Sequence, residues 1–366
     1  MARFEGALAR ASAREGIVPA AHADIISRVC ELAKFDIAAL VREGREGTLA
    51  IPFVKQLTAQ VAAVSADAAK HVHAGATSQD VIDTAIVLCL KPACARVITL
   101  TRQLGDGTAE LARRYGDTPT AARTLLQPAL PVTFGWKAAV WLSMVARGLT
   151  GARTAVEAAC LLQFGGPSGT LSSFGARGEA VMAALAKELA LLASVVPWHS
   201  ARDRFARLAS ELAILAGVAG KIGRDVSLLM QPEVGEVAEP AKAGRGGSSS
   251  MAHKRNPVLS MVALEAAQRT PGLAATLLAQ LTPEHERGLG QWQSQWFTLR
   301  ELVCATASGV AAMVEALEGL EVREEKMHAN MRSLLEEQKQ EFGSARAMIE
   351  HALGEWKAVT SPGTAP

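Results

Sequence analysis

Along almost the whole chain, apolar residues recur at intervals of three and four, the spacing that lines one face of an α-helix. The pattern predicts helices over 2–15, 20–43, 51–70, 79–115, 132–161, 174–193, 203–230, 257–281, 294–318 and 323–353. It is clearest in 203–230, where Phe205, Leu208, Leu212, Leu215, Ala219, Ile222, Val226 and Leu229 step by 3, 4, 3, 4, 3, 4 and 3. That is a heptad seam, the mark of a long helix packed in a bundle. Leu299, Val303, Thr306, Val310, Met313 and Leu317 repeat the spacing. The expected fold class is therefore all-α: a long central helix bundle with small helical N- and C-terminal domains. The boundaries fall at 1–83, 84–318 and 319–366, and the Pro/Gly-rich tail Thr360–Pro366 reads as disordered. No internal repeat of about 20–50 residues is evident.

Composition supports helices. Of 366 residues, 49% are hydrophobic, only 4% are aromatic and tyrosine occurs once, whereas strands favour aromatic and β-branched side chains. A formal net charge of +2 gives no strong field, so nothing points to nucleic acid or a membrane surface as partner. No charged-then-apolar leader opens the chain, and no uninterrupted apolar run reaches the roughly 18 residues of a membrane span. Five scattered cysteines, without a CxxC pair, read as buried thiols of a reducing, cytoplasmic compartment. The eight histidines lack metal-site spacing, and neither a GxGxxG turn after a strand nor a Walker loop is present. No metal and no nucleotide cofactor is expected.

Chemistry concentrates between the helices. The longest connection, about 231–256, holds Gly244, Gly246 and Gly247, then Ser248, Ser249, Ser250 and Met251, then His253, Lys254 and Arg255. Asn256 stands where an N-cap would, with Pro257 at the first helical position. A mobile, hydroxyl-rich, cationic loop feeding a helix N-terminus suits an anion. A plain Gly/Ser linker with a solvated basic end is the bland alternative. In His73–Asp80, Thr77 and Asp80 have capping-box spacing, so a helix is expected to start near Ser78 with hydroxyls at its N-terminus. Simple capping also explains Thr77 and Ser78. Thr124 and Gln127 sit in a short loop closed by Pro128 and Pro131, and His285 lies in the charged stretch Glu284–Arg287, which also reads as a surface turn over Trp292 and Trp296.

The run Gly247-Ser248-Ser249-Ser250-Met251-Ala252-His253-Lys254-Arg255-Asn256-Pro257 closely resembles the signature G-S-S-x-M-P-x-K-x-N-P of the fumarase/aspartase superfamily. His73-Ala74-Gly75-Ala76-Thr77-Ser78-Gln79-Asp80 looks like a second block of that family, and the segment around Thr124 like a third. Leu125 departs from the histidine that argininosuccinate and adenylosuccinate lyases carry there. Within the superfamily, Gly75–Thr84, Gln163–Gly166, Trp198-His199, Arg202–Arg204 and Glu284–Arg287 are similar to the bacterial 3-carboxy-cis,cis-muconate cycloisomerases. Other departures are Ala252 in place of the usual proline, an N-terminus that begins inside the first family helix region, and a shortened C-terminal segment.

The resemblance implies a cofactor-independent homotetramer with active sites shared between three subunits, acting on a small polycarboxylate. It implies Ser248 as proton donor and Lys254 with Asn256 as carboxylate ligands. Thr77, Ser78, Thr124 and Gln127 would add hydrogen bonds, with His73 and His285 as further candidates and Ser249 and Met251 beside them in the loop. The rivals are a fumarate-releasing lyase, a cycloisomerase for a sulfonated muconate, and a catalytically inactive oligomer of the same fold.

Overall fold

The computed structural model describes the chain except residues 46, 243, 248–249, 252–253, 335–341 and 362–366. In chain order the elements are α1 (Ala2–Arg14), α2 (Ala20–Leu32), α3 (Ile37–Gly44), α4 (Ala50–Ala62), α5 (Ala66–Ala69), α6 (Ser78–Arg114), β1 (Pro119–Thr124), β2 (Gln127–Thr133) and α7 (Phe134–Ala159). Then come β3 (Leu161–Leu162), α8 (Gly178–Leu189), β4 (Leu192–Ala193), α9 (Asp203–Leu229), β5 (Val237–Ala238) and α10 (Val258–Leu278). The described chain closes with α11 (Gln291–Glu318), β6 (Glu321–Val322), α12 (Glu324–Leu334) and α13 (Ala345–Thr360). Helices dominate, as the periodicity requires; the strands form three two-stranded pieces, β1–β2 and β5–β6 antiparallel and β3–β4 parallel.

The chain divides into two compact units. Met1–Pro92, Val156–Arg204 and Gln280–Trp292 make the first; Ala93–Ala155, Phe205–Ala279 and Gln293–Pro366 make the second. In the first, α1 packs on α2 and α8. Phe4 lies edge-on to Phe164 at 6.3 Å, and both are fully buried. In the second, every residue of both heptad seams is buried. Thr306, the polar member, donates its hydroxyl to the Leu212 carbonyl at 3.1 Å, so its burial leaves no unsatisfied group. By length and composition α11 could cross a bilayer, but its apolar seam, Leu299 to Leu317, lies in the protein core.

Several predicted helices are two. The 20–43 span breaks at Ala33–Asp36, because Asp36 turns its carboxylate onto the Ala39 amide at 2.9 Å and caps α3. Gln60 holds the break by bonding both backbone groups of Lys34. Ser65 caps α5 in the same way and divides 51–70. In 174–193 the first residues form a 3₁₀ turn, Ser172–Arg177, before α8. The 323–353 span covers α12 and the start of α13, with 335–341 outside the described residues. Thr360, read as tail, is the last residue of α13.

The Thr124–Gln127 segment differs most from expectation. It is the tip of a β-hairpin, not a loop between helices, and α7 starts at Phe134. Leu125 and Leu126 form its two-residue turn with φ of +52° and +65°. That backbone matches strand twist but is usually built from Asn-Gly.

Candidate active site

In the first unit the chemistry is organised by two buried carboxylates on the first turns of α6. Asp80 Oδ1 accepts from the Gly165 amide at 3.0 Å and from His199 Nε2 at 2.7 Å. Its Oδ2 accepts from the Gly166 amide at 2.9 Å and the Thr77 amide at 3.0 Å. The last of these is half of the predicted capping box, but Asp80 does more than cap: it ties loop 163–170 and His199 to the helix start. One turn on, Asp83 accepts two bonds from Arg202, at 2.8 and 3.2 Å, and others from Trp292 Nε1 and Gln79 Nε2. Asp80 and Asp83 are fully buried, and every bond they accept here comes from within this unit. A carboxylate so surrounded is fixed in place, and so are the backbone amides it holds.

Thr77 and Ser78 stand at the start of α6, half-buried, beside this network. His73 has φ +58° and places Nδ1 2.7 Å from Glu5 Oε1. Burial works against charging this imidazole, but the hydrogen bond and negative charge of Glu5, with Asp80 behind it, outweigh that and raise its pKa above the ordinary histidine value. His73 is thus engaged by a buried glutamate, which weakens its case as a free proton carrier. His285, at φ +42°, is exposed. Its neighbour Arg287 is the residue that reaches loop 163–170, donating to the carbonyls of Gly166 and Pro167 at 2.9 and 3.0 Å.

In the second unit, Thr124 and Gln127 lie exposed at the hairpin tip. The hairpin is anchored by Glu236, which has no exposed surface. Glu236 takes a two-pronged bond from Arg123, at 2.6 and 3.1 Å, with further bonds from Thr120 and Asn330. Three residues on, Glu239 does the equivalent for the signature loop. Its carboxylate accepts the amides of Leu259 and Ser260 at 3.0 and 2.7 Å and the Ser260 hydroxyl at 2.7 Å.

That arrangement corrects the reading of Asn256 and Pro257. α10 begins at Val258 with Pro257 in the cap position, and the cap is supplied from outside by Glu239. The first amides of this helix are already satisfied, those of Leu259 and Ser260 by Glu239 and that of Val258 by the Asn256 carbonyl, so they do not receive a ligand anion. The Asn256 amide donates to the Gly246 carbonyl at 2.8 Å and closes the loop neck. Lys254 is exposed, Asn256 half-buried, and both line a cavity of about 410 Å³ with Lys242, Arg245 and Arg255. Arg255 is tied to Glu321 and the Glu239 carbonyl, and Arg245 to Glu315, so Lys254 is the cation of this wall with no ion pair among the described residues. Met251 is exposed at the same loop. Ser248 and Ser249 lie outside the described residues.

Residues 1–272 match the model of the family described as lyase. The chain is 49% identical over 332 residues to the 3-carboxy-cis,cis-muconate cycloisomerase of Bradyrhizobium diazoefficiens, covering 90% of this chain and 74% of that one. It is 40% identical over 341 residues to the nitrosuccinate lyase of Streptomyces davaonensis, covering 90% and 72%. Among solved structures, the 3-carboxy-cis,cis-muconate lactonizing enzyme from Pseudomonas putida superposes with a TM-score of 0.91 at 34% identity, over 99% of this chain and 94% of that one. The chain belongs to the lyase family, the fumarase/aspartase superfamily.

As a lyase-family chain, it distributes its candidate residues over both units. His73, Thr77, Ser78 and His285 belong to the first; Thr124, Gln127, Met251, Lys254 and Asn256 belong to the second. The groups that the sequence did not single out are the acids beneath them: Asp83, Glu236 and Glu239, and Asp80 beyond its capping role. The run Glu236-Val237-Ala238-Glu239 carried a signal, two charges within an otherwise apolar stretch. Cys30 is no nucleophile, since burial, reinforced by Glu5, pushes its thiol up to about 12. Among the described residues no group of three or more His, Cys, Asp or Glu side chains converges as a metal site.

Proposed function

We propose that this chain is a cycloisomerase converting 3-carboxy-cis,cis-muconate to a carboxymuconolactone. The observation that carries the reading is the family loop presenting Lys254 and Asn256 around a cationic cavity, in a chain 49% identical over 90% of its length to a cycloisomerase of that name. The substrate has three carboxylates, and a wall bearing an uncompensated lysine suits one of them.

In the reaction one carboxylate oxygen bonds to an alkene carbon and closes the lactone ring. The alkene electron pair moves to the carbon beside another carboxylate, which becomes an aci-carboxylate. A proton delivered to that carbon completes the product. Atoms and electrons are conserved, so the stoichiometry calls for no oxidant, reductant or nucleotide. The difficult species is the aci-carboxylate, which positioned donors stabilise before charge develops on it. Lys254 and Asn256 are those donors, with Thr77, Ser78, Thr124 and Gln127 completing the set in a homotetramer where three subunits contribute to each site. Ser248 supplies the proton. Leu125 removes the histidine chemistry of the fumarate-releasing lyases, and lactonisation has no amine leaving group to protonate.

The test is ultraviolet absorbance of 3-carboxy-cis,cis-muconate incubated with the purified protein. Loss of the diene signal is expected, slowed about 10²–10⁴-fold in Ser248→Ala without change in folding. Wild-type turnover in that variant removes Ser248 from the mechanism. An unchanged diene signal from a folded oligomer overturns the cycloisomerase reading, and fumarate release from a succinyl substrate replaces it with elimination.

A further inference from the structure

A second cavity, about 650 Å³, opens in the second unit beside the hairpin tip, between α7 and α9. Its charged lining is one-sided: Arg123, Lys137, Lys221 and Arg224 against the single acid Asp225. The ion pairs within it are already formed. Arg123 is committed to Glu236, and Asp225 holds Lys221 and the indole of Trp141. Lys137, on the first turn of α7, is half-buried and forms no hydrogen bond or ion pair with another described residue. Apart from Gln231 the remaining walls are apolar, with Leu125 and Leu126 of the hairpin turn and Trp136 among them.

A lysine placed this way stands in an unfavourable setting. Burial and the neighbouring charge of Arg123 lower its pKa, and Glu236 and Asp225, which favour its charge, are engaged elsewhere. A charge set partly out of water without a partner is costly, and an anionic ligand relieves that cost. An apolar wall facing a cation matches an unsaturated or aliphatic carboxylate better than it matches phosphate or a bare inorganic ion.

We infer that this cavity is a carboxylate subsite and that Lys137 is a substrate-binding residue, holding one carboxylate of the polycarboxylate while the hairpin leucines cover its carbon chain. The inference deepens the proposed function and rests on it for the identity of the substrate, but the binding itself is testable without turnover.

The experiment is calorimetric titration of the full-length protein with propane-1,2,3-tricarboxylate, in wild type, Lys137→Met and Lys137→Arg, alongside steady-state kinetics with 3-carboxy-cis,cis-muconate. Losing one charge-assisted hydrogen bond should weaken probe binding and raise KM about ten- to a hundredfold in Lys137→Met. Lys137→Arg should recover part of that loss, and kcat should change far less than KM. The probe should also inhibit turnover competitively. Equal probe affinity in wild type and Lys137→Met, with matching circular dichroism and oligomeric state, overturns the inference and leaves the cycloisomerase reading standing. Non-competitive inhibition overturns the substrate assignment. Lys137-dependent probe binding by a protein that leaves the diene unchanged supports the subsite while the proposed function fails.

Discussion

Around Asp80, a carboxylate without exposed surface gathers three backbone amides and a histidine, and Thr77 and Ser78 sit beside it on a helix start that cannot shift alone. Around Thr124 the polar groups stand in solvent, on a turn made of two leucines, and their buried acid, Glu236, holds the strand that leads into the turn through Thr120 and Arg123. Both regions use acids to set the positions of neutral hydrogen-bond donors. In the first the acid bonds Thr77 itself; in the second it bonds Thr120 and Arg123 of the strand leading into the tip, and neither Thr124 nor Gln127. Support is thus uneven across the candidate groups: the helix start at Thr77 is held directly by a buried acid, and Thr124 and Gln127 at the hairpin tip are not.

Replacing Asp80 by Ala should have the largest effect. It leaves His199 and three amides unsatisfied in a dry interior, and unfolding in guanidinium should show a loss of about 3–5 kcal/mol. A loss under about 1 kcal/mol would mean that the preorganisation ascribed to this carboxylate is wrong. Glu239→Gln should cost less, about 1–3 kcal/mol, because an amide oxygen can still accept one of the bonds at the start of α10. Hydrogen exchange should locate that effect, with the Leu259 and Ser260 amides losing protection while those of Gly165 and Gly166 keep theirs. Equal loosening at both places would erase the contrast.

The smallest effect is a dependence on pH. The His73 pKa is raised in the folded protein, so its pairing with Glu5 contributes fully below the unfolded histidine value of about 6.5 and is lost as pH rises through the folded value. The stability difference between wild type and His73→Gln should therefore be widest in mild acid and should narrow above about pH 6.5. A difference that widens with pH would contradict the pairing.

How much of this could be read beforehand depends on the kind of signal. The two heptad seams were fully legible, since burial of a helix face is written in local spacing, and all their members are buried. The hairpin was hidden for two reasons. Pro128 and Pro131 lack backbone donors and look like loop residues, and Leu125-Leu126 gives none of the Asn-Gly signal of a turn with two positive φ values. Helix breaks at Asp36 and Ser65 were missed because an apolar periodicity runs on through a single capping residue. The family motifs singled out Thr77, Thr124, Lys254 and Asn256 as candidates, but not the acids that hold the segments around them. Asp80 and His199 are 119 residues apart, and Thr120 and Glu236 are 116 apart, so no local pattern announces either pair. The helix N-terminus offered as an anion site was misjudged for the same reason: Glu239, which occupies it, is distant from Ser260 along the chain but adjacent in space.

The last described helix gives the second unit an unusual seam of its own. Trp356 of α13 lies so close over Gly105 of α6 that a Cβ there would come within 2.0 Å of its ring, and its indole donates to Asp106 at 3.0 Å. Arg102 and Arg153 bond the carbonyls of Thr360 and Val359, from α6 and α7 respectively. A protein expressed without Ala345–Thr360 therefore loses a wall of its core instead of a tail, and a separate peptide of that sequence has a shaped slot to enter. Adding that peptide to the shortened protein is expected to restore the lost wall, with the fit of the Trp356 indole against Gly105 as the reporter.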